Sequence, residues 1–177
     1  MTERILLIGM MGAGKTTVGK KLAARLGWRH FDSDAQVQAR TGRTVPDIFA
    51  EQGEAAFRQE EALALAEAVG LDEPVVVSVA GGAVLDPANR RLLSRSGSVI
   101  WLRADPGTLA ARVGTGDGRP LLENDPAASL ARLDAVRRPL YEELADHTVD
   151  VDPLSADQTA EDIYQWWSGM QTGRRPA

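Results

Sequence analysis

The sequence has no cysteine and only two histidines among its 177 residues. The lack of cysteine excludes a disulfide framework, a thiolate zinc site and a thiol nucleophile. The two histidines, His30 and His147, are isolated, which argues against an imidazole metal cluster. We therefore expect any metal ion to be held by oxygen ligands.

Long apolar segments are also missing. No run of about 18 apolar residues is present, and the first residues lack the basic stretch, apolar run and cleavage site of a signal peptide. These absences predict a cytoplasmic protein without a membrane partner. The formal net charge of −5 argues against broad binding of nucleic acid, although it allows a local anion site. The length suits one domain, residues 1–177, and we expect a monomer.

Five short apolar runs predict β-strands. The strong ones span residues 4–8, 75–79 and 98–102, and weaker ones span 29–32 and 147–151. Helical patterns lie between them, at 16–26, 45–51, 54–69, 87–94, 106–113, 126–145 and 156–169. This alternation predicts an α/β fold with three layers, in which helices cover both faces of a five-stranded parallel sheet.

Two stretches interrupt the alternation. Between the second and third predicted strands, two helical segments separated by Gln52-Gly53 provide more chain than a simple crossover needs, so residues 32–62 are a candidate substrate-binding insertion. Residues 113–122 contain three glycines, which favour a mobile loop. Such a loop could act as a lid over a site.

A glycine-rich loop directly follows the first predicted strand. It matches the phosphate-loop pattern G-x-x-x-x-G-K-S/T and reads Gly9-Met10-Met11-Gly12-Ala13-Gly14-Lys15-Thr16-Thr17. In such a loop the backbone N–H groups and a helix N-terminus face phosphate oxygens. Lys15 would reach the β and γ phosphates, and the Thr16 hydroxyl would bind Mg²⁺. A turn that binds nothing is far less consistent with the strand before it and the helix after it.

The acidic groups that should accompany this loop are not on the expected strand. The run 75–79 has Ser78 as its only polar residue, and a guanine-reading N-K-x-D motif is absent. Asp32 and Asp34 follow the second strand with a spacing of two, so extended backbone would point both side chains the same way. Asp32 could hold a magnesium-bound water and Asp34 could take a hydroxyl proton. Alternatively, the Asp-Ser-Asp sequence only caps the next helix.

Arginines and glycines occur near the predicted carboxyl edge of the sheet, where ligands bind in open parallel sheets. They lie in the sequences Gly53-Glu54-Ala55-Ala56-Phe57-Arg58, Ala80-Gly81-Gly82-Ala83 and Arg137-Arg138-Pro139-Leu140-Tyr141, and at Arg112 and Arg119. Each arginine alone is better explained as a surface residue. Their grouping around one edge instead suggests a site for carboxylate or phosphate.

Taken in order, these motifs resemble those of the shikimate kinase family over nearly the whole chain. The resemblance implies that Asp34, Lys15 and Arg119 are catalytic. It implies ATP binding by Gly12, Ala13, Gly14, Lys15, Thr16, Thr17, Arg112 and Arg119, with adenine contacts near Asp152-Pro153. It also implies shikimate binding by Asp34, Arg58, Gly81, Gly82 and Arg137, and Mg²⁺ binding by Thr16 and Asp32. Ala80 departs from the family's glycine, and it would be strained if that position needs a positive φ.

The implied reaction transfers the γ-phosphoryl group of ATP to the 3-hydroxyl of shikimate, a step on the route to chorismate and aromatic amino acids. The partners are then ATP and shikimate, with Mg²⁺ as the cofactor. Two other classes share a phosphate loop. One is a related kinase that acts on gluconate or a nucleoside monophosphate, and the other is a nucleotide-dependent switch or ATPase without a small acceptor.

Overall fold

A five-stranded parallel sheet forms the centre of the molecule. The computed structural model describes residues 2–115, 119–122 and 125–173. The strands are β1 (Arg4–Ile8), β2 (Arg29–Asp32), β3 (Val75–Ser78), β4 (Ser98–Arg103) and β5 (His147–Asp150). They lie in the order β2-β3-β1-β4-β5, and every neighbouring pair is parallel. All five predicted strands are confirmed, because short runs of valine, isoleucine and leucine suit strands that are covered on both faces.

Helices cover this sheet on both faces, as the alternating pattern predicts. They are α1 (Lys15–Leu26), α2 (Ser33–Thr41), α3 (Val45–Val69), α4 (Pro87–Ser96), α5 (Pro106–Val113), α6 (Pro126–Leu144) and α7 (Ala156–Gly173). Short 3₁₀ turns span Ala83–Leu85 and Pro120–Leu122. Helix α1 packs against α7, and α4 and α6 pack against β4. In the described part of the chain, no helix is both long and apolar enough to cross a bilayer.

The segment between β2 and β3 contains a helix, α2, that the sequence pattern does not predict. Helix α2 begins directly after Asp32, whose side chain accepts hydrogen bonds from the amides of Asp34 and Ala35, and it ends at Gly42 in a left-handed conformation. Extended backbone therefore stops at Asp32, and the expectation that it continues to Asp34 is wrong. The Asp-Ser-Asp sequence does cap a helix, through the side chain of Asp32, and this contact does not exclude a role of the two carboxylates in the cleft.

Helix α3 is interrupted where the sequence predicts a break. Gly53 has φ 81° and ψ 174°, so two helical segments meet there at a kink. The first segment starts with a capping box between Thr44 and Asp47. Non-helical backbone with positive φ favours glycine, which explains the residue at this position.

The described residues form one large hydrophobic core and one small one. The large core surrounds the sheet, with Leu6, Leu7 and Val77 fully buried on its central strands. The small core lies under α2 and α3 and contains Val37, Ile48, Phe57 and Ala64. A separate apolar cluster gives the segment between β2 and β3 its own support beside the carboxyl edge of the sheet.

Candidate active site

A cleft of about 580 Å³ opens at the carboxyl edge of the sheet. The phosphate loop follows β1 there, Asp32 ends β2, and the turn Ala80–Gly82 follows β3. The predicted site residues that line the cleft are Gly12, Gly14, Lys15, Thr16, Thr17, Asp32, Asp34, Arg58, Gly81, Gly82, Arg112, Arg119 and Arg137. Thus residues from distant parts of the sequence converge on one cavity, as expected for the switch region of an open parallel sheet.

The phosphate loop uses backbone conformations that only glycine adopts readily. Gly12 and Gly14 have φ values of 84° and 94°. A Cβ on Gly12 would also lie 2.9 Å from the Val113 side chain. The first-turn amides of α1 have no acceptor within the helix, and the residues that carry them, Lys15, Thr16 and Thr17, line the cleft. Ala13 differs from its neighbours, because it is buried and its amide donates to the Met10 carbonyl at 3.2 Å.

The ammonium group of Lys15 is held by the loop itself. Its Nζ donates to the carbonyl oxygens of Gly9 at 2.7 Å and Met10 at 3.0 Å. Removal from water lowers the pKa of Lys15 to about 8, while Asp34 and Asp32 act in the opposite direction. The lysine therefore remains largely charged near neutral pH and lies where incoming phosphate oxygens would meet it.

Thr16 and Asp32 bring two oxygens together at the base of the cleft. The Thr16 hydroxyl donates to Asp32 Oδ2 at 2.5 Å, and Asp32 Oδ1 accepts from two amides of α2. One carboxylate oxygen is therefore used by the helix cap and the other faces the phosphate loop. A hydroxyl and a carboxylate oxygen beside a phosphate site are the donors that Mg²⁺ prefers.

Asp34 lies in the first turn of α2 and lines the same cleft. Although its side chain remains open to the water of the cleft, partial removal from bulk solvent raises the pKa of Asp34 above its ordinary value. Lys15 acts in the opposite direction. The helical backbone still leaves Asp32 and Asp34 lining one cavity, with different hydrogen-bond neighbours. This difference suits separate roles for the two carboxylates.

Arg58 is fixed by two carboxylates of its own helix. Its Nη1 donates to both oxygens of Glu61 at 2.9 and 3.0 Å, and its Nη2 donates to Glu54 at 2.9 Å. Glu61 is buried, and burial raises its pKa while Arg58 opposes that shift. The guanidinium also packs on Gly82, where a Cβ would lie 2.0 Å from Nη1. Glycine at this position thus provides the space that Arg58 occupies.

Arg137 is a buried cation that forms no ion pair with any of the described residues. Its residue is only 1% exposed, its Nε has no hydrogen-bond partner, and its Nη1 lies 4.0 Å from the Met10 sulfur. Across the described residues, no carboxylate forms an ion pair with it. One turn further along α6, Tyr141 donates to the Gly81 carbonyl at 2.7 Å. An unpaired buried guanidinium is costly unless a ligand supplies the missing charge.

The neighbouring Arg138 has a different environment. Its Nε donates to Asp134 at 2.8 Å, its Nη2 donates to the Ala104 carbonyl at 3.2 Å, and the group lies over the Trp101 ring. These contacts tie α6 to the end of β4, and among the described residues Arg138 is not one of those that line the cleft. The two adjacent arginines therefore point in different directions, as neighbours on a helix do.

Arg112 and Arg119 lie at the outer end of the cleft. Arg112 donates to the Gly12 carbonyl at 3.4 Å and the Val151 carbonyl at 3.2 Å, so it joins the phosphate loop to the segment after β5. Asp152, in that segment, accepts from the Asp105 amide at 3.0 Å. Arg119 is exposed and lines the cleft. Of the glycines in the predicted lid, Gly116 and Gly118 lie outside the described residues.

Several residues of the cleft carry no strong signal in the sequence. Glu61 stands three positions after Arg58, a spacing that places the two side chains on one helix face. Phe49 packs against Phe57 with ring centroids 5.0 Å apart, and the two rings form an apolar wall of the cleft. Ser78 lines the cleft from the end of β3. In the turn after β3, Gly82 has φ −86°, outside the left-handed region, and the Ala80 amide donates to Ser33 Oγ at 2.8 Å.

Comparisons with known proteins agree on one family. The family model described as shikimate kinase matches residues 11–168. A shikimate kinase of Thiobacillus denitrificans is 47% identical over 149 residues, covering 84% of this chain and 81% of that protein. One from Halorhodospira halophila is 46% identical over 169 residues, covering 95% of each. A solved structure of the Acinetobacter baumannii shikimate kinase in complex with shikimate aligns with a TM-score of 0.91 at 34% identity, covering 99% of this chain and 97% of that one.

Proposed function

Because this chain belongs to the shikimate kinase family, we propose that it transfers the γ-phosphoryl group of ATP to the 3-hydroxyl of shikimate. The products are ADP and shikimate 3-phosphate. The family and its curated relatives support this reaction over transfer to gluconate or to a nucleoside monophosphate, and over ATP hydrolysis without an acceptor.

The environment of Arg137 is the observation that most directly supports shikimate as the acceptor. Arg137 is buried in the wall of the cleft without a carboxylate partner among the described residues, and Arg58 lines the same cleft in a position fixed by Glu61. Shikimate has one carboxylate, which would supply the missing negative charge through a charge-assisted hydrogen bond. The ring would pack against the wall that contains Phe49 and Phe57. The acceptor thereby lies in the same cavity as the phosphate loop.

The chemistry then depends on position and charge. Asp34 hydrogen-bonds the acceptor hydroxyl, orients it toward the γ phosphorus and takes its proton as the oxygen–phosphorus bond forms. Lys15 exchanges its contacts with the loop carbonyls for phosphate oxygens, and Arg119 reaches the same group from the outer end of the cleft. Both cations offset the charge that spreads over the transferring group.

Thr16 and Asp32 are the residues that would hold Mg²⁺. Their oxygens meet at 2.5 Å beside the phosphate loop, and among the described residues no cluster of three acidic or histidine side chains offers a metal site. This fits a magnesium ion that uses few protein ligands and takes the others from phosphate and water. A magnesium ion held there would supply positive charge that offsets the charge of the phosphates.

The proposed roles of the other residues also rest on the resemblance to this family. We propose that Arg112 and the segment near Asp152-Pro153 flank the adenine, and that residues 32–62 form the acceptor-binding insertion. Residues 113–122 would close over the nucleotide as a lid. On the sequence features described above, we also propose that the protein is a cytoplasmic monomer.

The test is the dependence of ADP release on the acceptor. A coupled assay should show ADP release with ATP, Mg²⁺ and shikimate that greatly exceeds the rate without an acceptor. Gluconate and nucleoside monophosphates, offered at the same concentration, should leave the rate at its basal level. Release that is unaffected by shikimate, or that is faster with one of the other acceptors, would overturn the assignment.

A further inference from the structure

A hydrogen-bonded relay lies beneath the phosphate loop. Ser78 Oγ, at the end of β3, is 2.9 Å from the Lys15 carbonyl oxygen and 2.9 Å from His30 Nε2 on the neighbouring strand β2. His30 and Ser78 are partly or fully buried, so neither contact depends on an exposed, mobile side chain. The relay thus runs from the second strand through the third strand to the first residue of α1.

The direction of the proton in each contact follows from the groups involved. A carbonyl oxygen can only accept, so the single hydroxyl proton of Ser78 is directed at Lys15. Ser78 must then accept from His30, which requires a proton on His30 Nε2. The geometry therefore fixes which ring nitrogen is protonated.

The carbonyl that Ser78 holds belongs to the peptide unit between Lys15 and Thr16. Because a trans peptide is planar, fixing the Lys15 oxygen also fixes the Thr16 N–H, which points the opposite way. That N–H lies in the first turn of α1, where the amides without helical acceptors face the cleft. A hydrogen bond on the buried side of the loop consequently sets the direction of a donor on its phosphate side.

Helix α1 has a glycine, Gly19, at the point where it packs against His30 and Ser78. A Cβ on Gly19 would lie 2.7 Å from both His30 Nε2 and Ser78 Oγ. Gly19 is buried in the interior of α1, where glycine is less favourable than alanine. The space that it leaves is filled by the two polar groups of the relay.

We propose that His30 is a positioning residue for phosphate binding, which acts through Ser78 on the Lys15–Thr16 peptide. The nucleotide role of the loop rests on the proposed function, whereas the relay itself is independent of the acceptor. His30 does not contact the reacting atoms. Its contribution is to hold the loop in the conformation that receives the β phosphate.

Calorimetric titration with ADP and Mg²⁺ tests this role. His30→Leu removes the donor and should weaken ADP binding about three- to tenfold, the range for one lost hydrogen bond. His30→Gln keeps an N–H donor at nearly the same reach and should bind ADP within about twofold of wild type. His147→Leu is the matched control, since His147 is the other histidine, is also half-buried and lies on β5. It should bind ADP normally.

Two results would overturn the proposal. One is ADP affinity in His30→Leu equal to that of the His147→Leu control. The other is equal weakening in the leucine and glutamine variants of His30, which would indicate packing rather than hydrogen bonding. Because the titration contains no acceptor, failure of the shikimate assignment would leave these comparisons intact.

A second measurement does not depend on any variant. Nitrogen-15 NMR of the wild-type protein labelled at histidine should find a proton on Nε2 of His30. A His30 ring protonated only at Nδ1 would contradict the relay.

Discussion

Lys15 is a residue of this site whose charge depends on pH in the mildly alkaline range. Its pKa is lowered to about 8 by removal from water, and bound phosphates should raise that pKa because they favour the charged form. Above about pH 8, ATP binding must therefore take up a proton. We expect ATP affinity to be constant below about pH 8 and to fall as the pH rises further.

Calorimetry of ATP binding across this range checks the prediction. Lys15→Met should bind ATP more weakly and should lose the dependence between about pH 8 and 10. Wild-type affinity that stays constant over that interval would show that Lys15 does not change its protonation on binding.

Asp34 and Asp32 should respond differently to the same substitution. Asp34→Asn keeps the shape but loses the charge that polarises the acceptor hydroxyl, so kcat should fall by about 100-fold or more while ATP still binds. Asp32→Asn should instead raise the Mg²⁺ concentration needed for half-maximal rate. Steady-state kinetics with varied Mg²⁺ separates the two effects. Turnover of the Asp34 variant within about threefold of wild type would remove Asp34 from the catalytic residues.

Adjacent arginines on α6 provide a matched pair. Arg137→Ala should raise the KM for shikimate strongly, because a hydrogen bond between charged groups contributes about 1.5–3 kcal/mol. Arg138→Ala should leave that KM nearly unchanged, since Arg138 is bound to Asp134 and the Ala104 carbonyl. Initial rates at saturating ATP measure both values. A larger rise of the KM for shikimate in Arg138→Ala than in Arg137→Ala would indicate that the acceptor carboxylate binds Arg138 instead of Arg137.

At the scale of helices, strands and loops, the sequence predicts those features that a short stretch of consecutive residues determines by itself. The phosphate loop and all five strands follow from short contiguous signals, and the break near Gly53 follows from a single glycine. Helix α2 is missed because the Asp-Ser-Asp sequence fits both an extended strand end and a helix cap. Only the hydrogen bonds of Asp32 to two amides decide between them.

Contacts between elements are the part that the sequence does not provide. The space that Gly82 leaves for Arg58 joins residues far apart in the chain. The same holds for the contact of Tyr141 with Gly81 and for the relay from His30 to Lys15. Each depends on the packing of β3 against its neighbours, so no periodicity or motif spacing reveals it. Glu61 is the exception, because its spacing from Arg58 predicts a contact on one helix face.

Arg119 lies in the segment between α5 and α6 and is expected to act in catalysis. Arg119 is the only basic residue between Arg112 and Arg132, and it reaches the cleft from the exposed side. A cation that meets the phosphates from the outer end should matter more in the transition state than in ground-state binding. Arg119→Ala should therefore lower kcat by about tenfold or more and change ATP dissociation far less. Single-turnover kinetics and ATP titration together test this, and a near-normal kcat would exclude Arg119 from catalysis.

At the scale of the whole molecule, the central strand supports both the core and the site. Leu6 lies on β1 between β3 and β4 and is fully buried, so Leu6→Ala should lower the free energy of unfolding by about 2–5 kcal/mol. Leu63 on α3 is 49% exposed, and Leu63→Ala should change that free energy by less than about 0.5 kcal/mol. Urea denaturation measures both. Equal losses for the two variants would contradict the assignment of the core.

The molecule as a whole brings to one cleft a phosphate loop, two acidic groups and a buried arginine that has no ion pair among the described residues. Together they would transfer the γ-phosphoryl group of ATP to shikimate. Phosphorus NMR of a reaction with ATP, Mg²⁺ and shikimate tests it most directly. We predict one phosphate ester, on the 3-hydroxyl of shikimate, for each ADP formed. ADP with inorganic phosphate in place of the ester, or an ester on another hydroxyl, would contradict the claim.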